Sequence, residues 1–323
     1  MQTHYARGVL LCLVATVSWG TMFPIMTGAL ERIDPFTFTA LRYTIAGAAF
    51  LILLVLREGV GALRLGGERV LLAWFLGSCG FAGFGFLVFL GQQMAGPQGA
   101  LTASIMMATM PMLGLLVNWL VRKARPPVYS FGFIALSFAG VTMVITNGDL
   151  ASLLLSPQSY LAGIPLGLGA LCWVTYTVGG SLFPHWSPYR YTAITTALGM
   201  ISVYAVNLIL VASGTIALPG LQTVVDVAPH LAYLALVAGL LAVPCWNMGN
   251  KILTPMNGVL FMDVVPLTAF AVSAASGVVP QPAQLVGATI TAAALILNNL
   301  CQRNALRAAA SAQILARQGS AAE

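Results

Sequence analysis

Charged side chains are scarce in this sequence. Aspartate, glutamate, lysine and arginine make up 7% of its 323 residues, whereas hydrophobic residues make up 59%. A soluble domain carries about 25% charged residues, because its surface faces water. The composition therefore excludes a soluble globular protein. A lipid bilayer accommodates such a chain, because lipid tails are as apolar as the side chains that face them.

Patterns that bind metals, form disulfides or carry out enzyme chemistry are also missing. None of the five cysteines forms a CxxC pair, and the three histidines are scattered near segment ends. An odd number of buried thiols argues against a disulfide framework. The sequence contains no HExxH, no GxSxG, no Walker-type loop and no second acid near Asp263. We therefore predict neither a metal site, nor a cofactor, nor enzyme activity.

Long apolar segments dominate what is present. A membrane-spanning helix needs about 20 mostly apolar residues. Ten segments satisfy this window, with proline and glycine at the joints between them. The sequence therefore predicts an all-α membrane protein with ten transmembrane helices. The predicted spans are residues 8–30, 35–56, 70–91, 97–121, 127–146, 160–183, 188–213, 229–249, 255–277 and 282–302.

The basic residues predict the orientation of these spans. With the N-terminus in the cytoplasm, twelve of the fourteen lysines and arginines fall in cytoplasmic loops or ends, one (Arg32) falls outside, and Arg42 lies within a span. This bias follows the positive-inside rule, and it explains the net charge of +6 without a nucleic-acid partner. We expect a multi-pass protein of the cell (inner) membrane with both termini cytoplasmic.

The second half of the chain repeats the first. Matches keep chain order at slowly drifting offsets, and each half contains five predicted spans. Because five is odd, the second half must enter the membrane inverted. Inverted repeats are a common architecture of secondary transporters, with the site between the halves. The matched pairs include Trp19 with Trp173, Pro35 with Pro188, Gly80 with Gly239, Pro111 with Pro266, and Pro127 with Pro282.

The repeat divides the chain into three predicted units. They are a first repeat (1–150), a second repeat (151–303) and a short cytoplasmic tail (304–323). Transport by alternating access is the predicted function. The alternative is a duplication inherited by an integral-membrane enzyme or a scaffold.

Several of these features together resemble the EamA family of the drug/metabolite transporter superfamily. They are the two five-helix halves, Trp19-Gly20, Pro35, Arg42, and the central Pro111 and Pro266. Within that family, the stretches 171–176 and 246–249 are similar to the YddG-type exporters of aromatic and other bulky amino acids, which are also linked to organic cations. The alternative is a relative that carries another metabolite, such as a nucleotide sugar.

The resemblance also implies where the pathway lies. It would be lined by spans one, three, four, six, eight and nine, while the other spans buttress it. An internal pseudo-dimer allows a monomer to complete the pathway. The expected partners are a small-molecule substrate and the lipid bilayer.

Two prolines are the predicted hinges. Pro111 and Pro266 lie in the interior of their spans, where proline removes a backbone hydrogen bond and kinks the helix. A freed carbonyl is tolerated in the membrane only where it lines a cavity or finds another partner. We expect a gating role, with direct substrate contact or a simple packing kink as the alternatives.

Aromatic and methionine side chains form the predicted substrate pocket. Trp19 and Trp173 lie near mid-membrane, where an indole N–H needs a partner. Methionine reshapes easily against aromatic rings, which suits a flat or bulky apolar group. Ordinary helix packing is the alternative for each residue. The predicted substrate-binding residues are Trp19, Phe81, Phe84, Met110, Trp173, Tyr176, Trp246, Asn247 and Asp263.

Two charges within the spans require a reason, because charges in a membrane are unfavourable. Asp263 could bind a substrate amine, carry a coupling proton, or pair with a neighbour. Arg42 could anchor the outer helix ends or contact a carboxylate. The first span carries no membrane-embedded carboxylate, so the proton antiport of the short four-helix relatives does not carry over. Facilitated export and proton coupling both remain open.

Overall fold

The structure is a computed structural model that describes residues 2–123, 125–149, 161–253 and 259–320. Eleven helices account for most of these residues. They are α1 (Gln2–Leu30), α2 (Pro35–Glu58), α3 (Val70–Gly77, Ser78–Gly83 and Phe84–Met94), α4 (Gly99–Ala108), α5 (Met110–Arg122), α6 (Val128–Ile145), α7 (Gly163–Gly179), α8 (Pro188–Ala212), α9 (Leu221–Ala232, Tyr233–Leu241 and Ala242–Leu253), α10 (Val264–Ala275) and α11 (Pro282–Ser320).

Seven of these helices are long and apolar enough to cross a membrane: α1, α2, α3, α6, α8, α9 and α11. Helices α4 and α5 form an eighth candidate span if they are counted together across their 44° bend. Helices α7 and α10, of 17 and 12 residues, are shorter than the roughly 20 residues that a bilayer requires. The chain is therefore an all-α membrane protein with seven or eight candidate spans, and ten spans remains a prediction.

Some span and repeat boundaries that the sequence predicts fall outside the described residues. The predicted sixth and ninth spans begin at residue 160 and at Pro255, and the boundary between the repeats lies at 150–151. Other boundaries differ from the prediction. Helix α9 begins at Leu221 rather than at 229, and Pro229, the predicted first residue of this span, lies inside the helix. Helix α11 continues to Ser320, past the predicted start of the tail at 304.

Corresponding helices of the two halves begin in the same way. The Asp34 carboxylate accepts hydrogen bonds from the backbone N–H groups of Phe36 and Thr37, at 2.9 and 2.8 Å, before α2. The Ser187 hydroxyl accepts one from the N–H of Arg190, at 3.0 Å, before α8. Both helices then have proline as their first residue. A side-chain cap followed by proline is a strong helix start, because the first N–H groups have no partner within the helix.

Glycines allow the two halves to pack closely. A Cβ atom on Gly77 of α3 would lie 2.0 Å from the carbonyl oxygen of Thr195 in α8, and one on Gly199 would lie 2.5 Å from the carbonyl oxygen of Gly77. Gly140 of α6 and Gly287 of α11 face each other in the same way. A Cβ atom on Gly140 would lie 2.6 Å from the carbonyl oxygen of Gly287, and one on Gly287 would lie 2.5 Å from that of Gly140. Small residues let helix backbones approach where lipid supplies no hydrophobic drive for association. These two crossings join the first half to the second.

One end of the bundle is tightly packed. Phe23, Phe38 and Phe89 are at most 1% exposed there. The Gln92 side-chain amide donates hydrogen bonds to the carbonyl oxygen of Phe23, at 2.7 Å, and to the Thr27 hydroxyl, at 3.0 Å. These contacts join α1, α2 and α3 near the end of the bundle where α1 and α3 terminate. Packing between α1, α2 and α3 therefore leaves little open space among these three helices.

Candidate functional site

A cavity of about 520 Å³ lies between the helices. This volume is within the roughly 300–1,000 Å³ typical of small-molecule sites. Its wall is contributed by α1, α2, α3, α4, α5, α7, α8, α9 and α10, together with residues next to α7, α8 and α10. Helices α2 and α8 thus line the cavity as well, although the family resemblance implied that they buttress it.

Eight of the nine predicted substrate-binding residues lie on this wall. They are Trp19, Phe81, Phe84, Met110, Trp173, Tyr176, Trp246 and Asn247. Asp263 is not among the lining residues, but its neighbours Met262 and Val265 are. Of the predicted hinges, Pro111 lines the cavity, whereas Pro266 lies directly after Val265. The structure therefore brings together most of the residues that sequence reasoning singled out.

The wall contains a continuous chain of aromatic rings. Phe84 contacts Trp173 with 5.0 Å between ring centroids, and Trp173 contacts Tyr176 at 5.4 Å. Tyr176 in turn contacts Phe81 at 5.2 Å and stacks on Tyr191 at 5.1 Å. These distances are those of favourable aromatic pairs. The chain offers ring faces and edges to a flat or bulky apolar group.

A second aromatic pair joins α1 to α9. The ring centroids of Trp19 and Trp246 are 5.4 Å apart. The indole N–H of Trp19 donates a hydrogen bond to the carbonyl oxygen of Ala238, at 2.9 Å. The hydrogen-bond partner of the Trp19 indole is therefore a backbone carbonyl of the other half.

Irregular helix geometry positions both aromatic groups. Helix α3 is π-helical over Ser78–Gly83, and α9 is π-helical over Tyr233–Leu241. A Cβ atom on Gly80 would lie 2.6 Å from the Tyr176 ring, so glycine there lets that ring approach α3. The π stretch of α9 contains Ala238, the acceptor for Trp19. π-Helical turns occur often at functional sites.

Sequence reasoning did not identify these π-helical stretches. The signal available was the match of Gly80 with Gly239, since each glycine lies inside one of the two stretches. A repeated glycine indicates close approach of a neighbour. A repeated glycine does not indicate that a helical turn is widened to π geometry, because the widening depends on hydrogen bonds that form in the packed state.

Both predicted hinges follow irregular helix geometry. The chain bends by 44° between α4 and α5, and Pro111 is the second residue of α5. Pro111 thus lies in the first turn of a new helix, where its missing N–H is tolerated. Before Pro266 the helix changes from a 3₁₀ turn over Val259–Asp263 to the α geometry of α10 without interruption, and Pro266 is the third residue of α10.

Arg42 is the charged residue on the cavity wall. It is 5% exposed, and its guanidinium carbon lies 4.7 Å from the ring centroid of Tyr43 and 5.4 Å from that of Phe89. Its Nε and Nη1 atoms are buried and have no hydrogen-bond partner in the part of the chain that the structure describes. No aspartate or glutamate is present among the described residues that line the cavity.

Asp263 lies just behind the wall. Both of its carboxylate oxygens are buried, and neither has a hydrogen-bond partner within the described ranges. It ends the 3₁₀ turn that precedes α10. None of the three roles predicted for it, amine binding, proton transfer or pairing, follows from these contacts.

The cavity extends toward one end of the bundle. It reaches Gly180, Trp186 and Ser187, between α7 and the start of α8, and Asn247 near the end of α9. The packed end around Phe23 and Phe89 lies on the other side. A smaller cavity of about 230 Å³, lined in part by Gln98, Gln281 and Gln284, lies at that packed end of the bundle.

The sequence is similar to a transporter family and to individual transporters. The sequence profile described as "EamA-like transporter family" matches residues 6–146 and again residues 161–300. The "Uncharacterized transporter YrdR" of Bacillus subtilis (strain 168) is 35% identical over 296 residues, which cover 92% of each chain. The "Uncharacterized transporter YyaM" of the same organism is 25% identical over 283 residues, or 87% of this chain and 90% of that one.

The fold is also similar to that of a solved structure described as "Crystal structure of protein". It shares 20% sequence identity with a TM-score of 0.62, over 93% of this chain and 98% of its own. At this identity, the likeness is one of fold alone.

Proposed function

Because the chain belongs to the EamA-like transporter family, we propose that it is a secondary transporter that exports aromatic or other bulky amino acids. Membership makes the chain a multi-pass membrane transporter with a small-molecule substrate, and not an enzyme. The observation that carries the choice of substrate is the chain of aromatic rings from Phe84 through Trp173 and Tyr176 to Tyr191 along the cavity. Ring stacking of this kind favours a flat aromatic side chain.

The proposal includes ten spans in two inverted repeats, 1–150 and 151–303, with a cytoplasmic tail at 304–323 and both termini cytoplasmic. Features that recur in both halves support it. The side-chain cap and proline before α2 recur before α8, and the π-helical stretch of α3 recurs in α9. Irregular helix geometry precedes the proline in both halves: a 44° bend before Pro111 and a 3₁₀ turn before Pro266.

In this topology the cavity opens to the cytoplasm. The α7–α8 connection at Trp186 and Ser187 is then cytoplasmic, and the packed end around Phe23 faces outward. Export by alternating access requires the packed end to open and the cytoplasmic end to close. The helix break before Pro111 and the 3₁₀ turn before Pro266 are the proposed hinges, because irregular turns change angle more easily than a continuous α-helix.

An organic cation or a nucleotide sugar is the second candidate class of substrate. Aromatic faces also bind cations, which favours the first of these. The positive charge of Arg42 on the same wall, which has no anionic partner in the described ranges, argues against an organic cation, because like charges repel at short distance.

The transport proposal predicts protein-dependent uptake of tryptophan and phenylalanine into proteoliposomes. The aromatic rings of the wall should favour these amino acids over threonine, which has no ring to stack. The measurement follows radiolabelled tryptophan, phenylalanine and threonine, with protein-free liposomes as the control. Accumulation driven by a pH gradient would indicate proton coupling, and faster equilibration without accumulation would indicate facilitated diffusion. No flux of any amino acid would refute the substrate assignment and leave another metabolite of the family.

The orientation predicts which loops react with a membrane-impermeant maleimide in intact cells. In a cysteine-free background, Gly220→Cys (between α8 and α9) should be labelled from outside. Gly66→Cys (between α2 and α3) should be labelled only after permeabilisation. Both sites have open space around the Cα atom, so cysteine fits at either. The reverse labelling pattern would overturn the orientation, and equal labelling at both sites would overturn the number of crossings between them.

A further inference from the structure

Arg42 is a buried cation that has no anionic partner among the residues that the structure describes. It is 5% exposed, and it lines the main cavity. Two of its nitrogen atoms, Nε and Nη1, are buried without an acceptor among the described residues. By contrast, Arg190 near the cavity mouth pairs with Glu68 at 3.1 Å. An unpaired charge within a membrane protein is unfavourable, so such residues mark substrate or ion sites unless a partner is found.

Neighbouring rings hold the guanidinium group but provide no acceptor for the N–H groups of Nε and Nη1. The Tyr43 and Phe89 rings lie 4.7 and 5.4 Å from its central carbon. Ring faces attract a cation but do not accept hydrogen bonds as oxygen atoms do. A guanidinium group presents its N–H donors in a fixed planar fork. Carboxylates and phosphates both match this fork, and the aromatic amino acid proposed above supplies the carboxylate.

The position of Arg42 places this charge next to the aromatic wall. The Tyr43 ring, adjacent in sequence, contacts Phe81 with 5.0 Å between centroids. Phe81 contacts Tyr176, which belongs to the chain of rings described above. A molecule with an aromatic ring and a carboxylate can therefore contact the ring chain and Arg42 together.

On the basis of the proposed function, we propose that Arg42 binds the carboxylate of the substrate and makes that group the main determinant of charge selectivity. The described part of the wall offers no aspartate or glutamate to an ammonium group. The site should accordingly accept an aromatic acid that lacks the amine, and reject an aromatic amine that lacks the acid.

The first test compares three indole compounds with one ring system. Unlabelled tryptophan, indole-3-propionate and tryptamine compete with radiolabelled tryptophan for uptake into wild-type proteoliposomes. We expect tryptophan and indole-3-propionate to compete, and tryptamine to compete at least about tenfold less well, which is the ratio that one charge-assisted contact provides. If tryptamine competes as well as tryptophan, the inference is overturned while the transport proposal stands.

The second test replaces the charge. Arg42→Gln should lower tryptophan uptake at least about tenfold and remove the preference for the acid over the amine, whereas Arg42→Lys should keep part of both. Arg57→Gln is the matched control, because Arg57 also lies near a ring, Tyr189 at 6.0 Å, but does not line the cavity. A folded Arg42→Gln protein with unchanged selectivity would overturn the inference. If this variant does not fold, the wild-type competition experiment decides.

Binding measurements separate this inference from the transport proposal. Isothermal titration of the purified wild-type protein with indole-3-propionate and with tryptamine does not require flux. Binding of the acid alone supports the role of Arg42 even if no amino acid is transported. Binding of the amine alone, or of neither compound, overturns it.

Discussion

The Trp173→Ala variant is expected to lose aromatic amino acid uptake by at least about tenfold, because one stacked ring contributes about 1 kcal/mol beyond the apolar area that it buries. Trp173 is the central ring of the wall. It contacts Phe84 at 5.0 Å and Tyr176 at 5.4 Å. Alanine at this position removes a face that the substrate would stack on and separates these two neighbours. Uptake of radiolabelled tryptophan into proteoliposomes measures the loss.

Trp119→Ala is the matched control for this prediction. Trp119 also contacts a ring, with 5.6 Å to the Phe131 centroid, and lies 6.0 Å from the Arg125 guanidinium carbon. It does not line the main cavity. Its variant should keep wild-type uptake, and Trp173→Phe should recover part of what Trp173→Ala loses. Equal uptake by the two alanine variants would contradict a site at the aromatic wall.

The second large effect is expected in folding rather than in transport. Gly77→Ala places a Cβ atom 2.0 Å from the carbonyl oxygen of Thr195, which belongs to the backbone of α8 and has no side-chain freedom to move away. Overpacking of this kind destabilises a protein by about 1–3 kcal/mol or more. The variant should show a lower midpoint of thermal unfolding and a smaller monodisperse fraction on size-exclusion chromatography in detergent.

The same substitution at Gly132 should have the opposite effect on stability. A Cβ atom on Gly132 of α6 meets nothing within 4 Å. Alanine inside a helix stabilises it by roughly 0.5–1 kcal/mol relative to glycine, because glycine loses more conformational freedom on folding. Gly132→Ala should therefore leave the midpoint unchanged or raise it. A Gly77→Ala protein as stable as Gly132→Ala would show that α3 and α8 are not packed backbone to backbone.

Which residues line the cavity was predictable only in part. Trp19 and Trp173 stood out in the sequence because they are tryptophans at matched positions, and both lie on the wall. Asp263 stood out because of its charge, yet the described structure places it behind the wall. That these residues bind a substrate stays a prediction.

Tyr43 and Tyr191 had no such signal. Each is one of nine tyrosines in the sequence, and only packing turns it toward the cavity. The role of Arg42 also depends on packing. Its charge is evident in the sequence, but the sequence leaves open whether it anchors the outer helix ends or contacts a carboxylate. Its neighbours, the Tyr43 and Phe89 rings, belong to different helices.

The sequence by itself determined the class of protein, most of its helical segments and its family. These properties depend on composition, on the length of apolar runs and on the order of residues, all of which are local or additive. The tertiary structure decided which face of each helix meets the cavity, where α3 and α9 become π-helical, where the chain bends before Pro111, and where a 3₁₀ turn precedes Pro266. The physical reason is that lipid and protein interior are both apolar, so hydrophobic periodicity does not distinguish the two faces of a membrane helix. The rotation of each helix about its own axis is set instead by contacts such as that of Gly77 with Gly199, which join residues far apart in the chain.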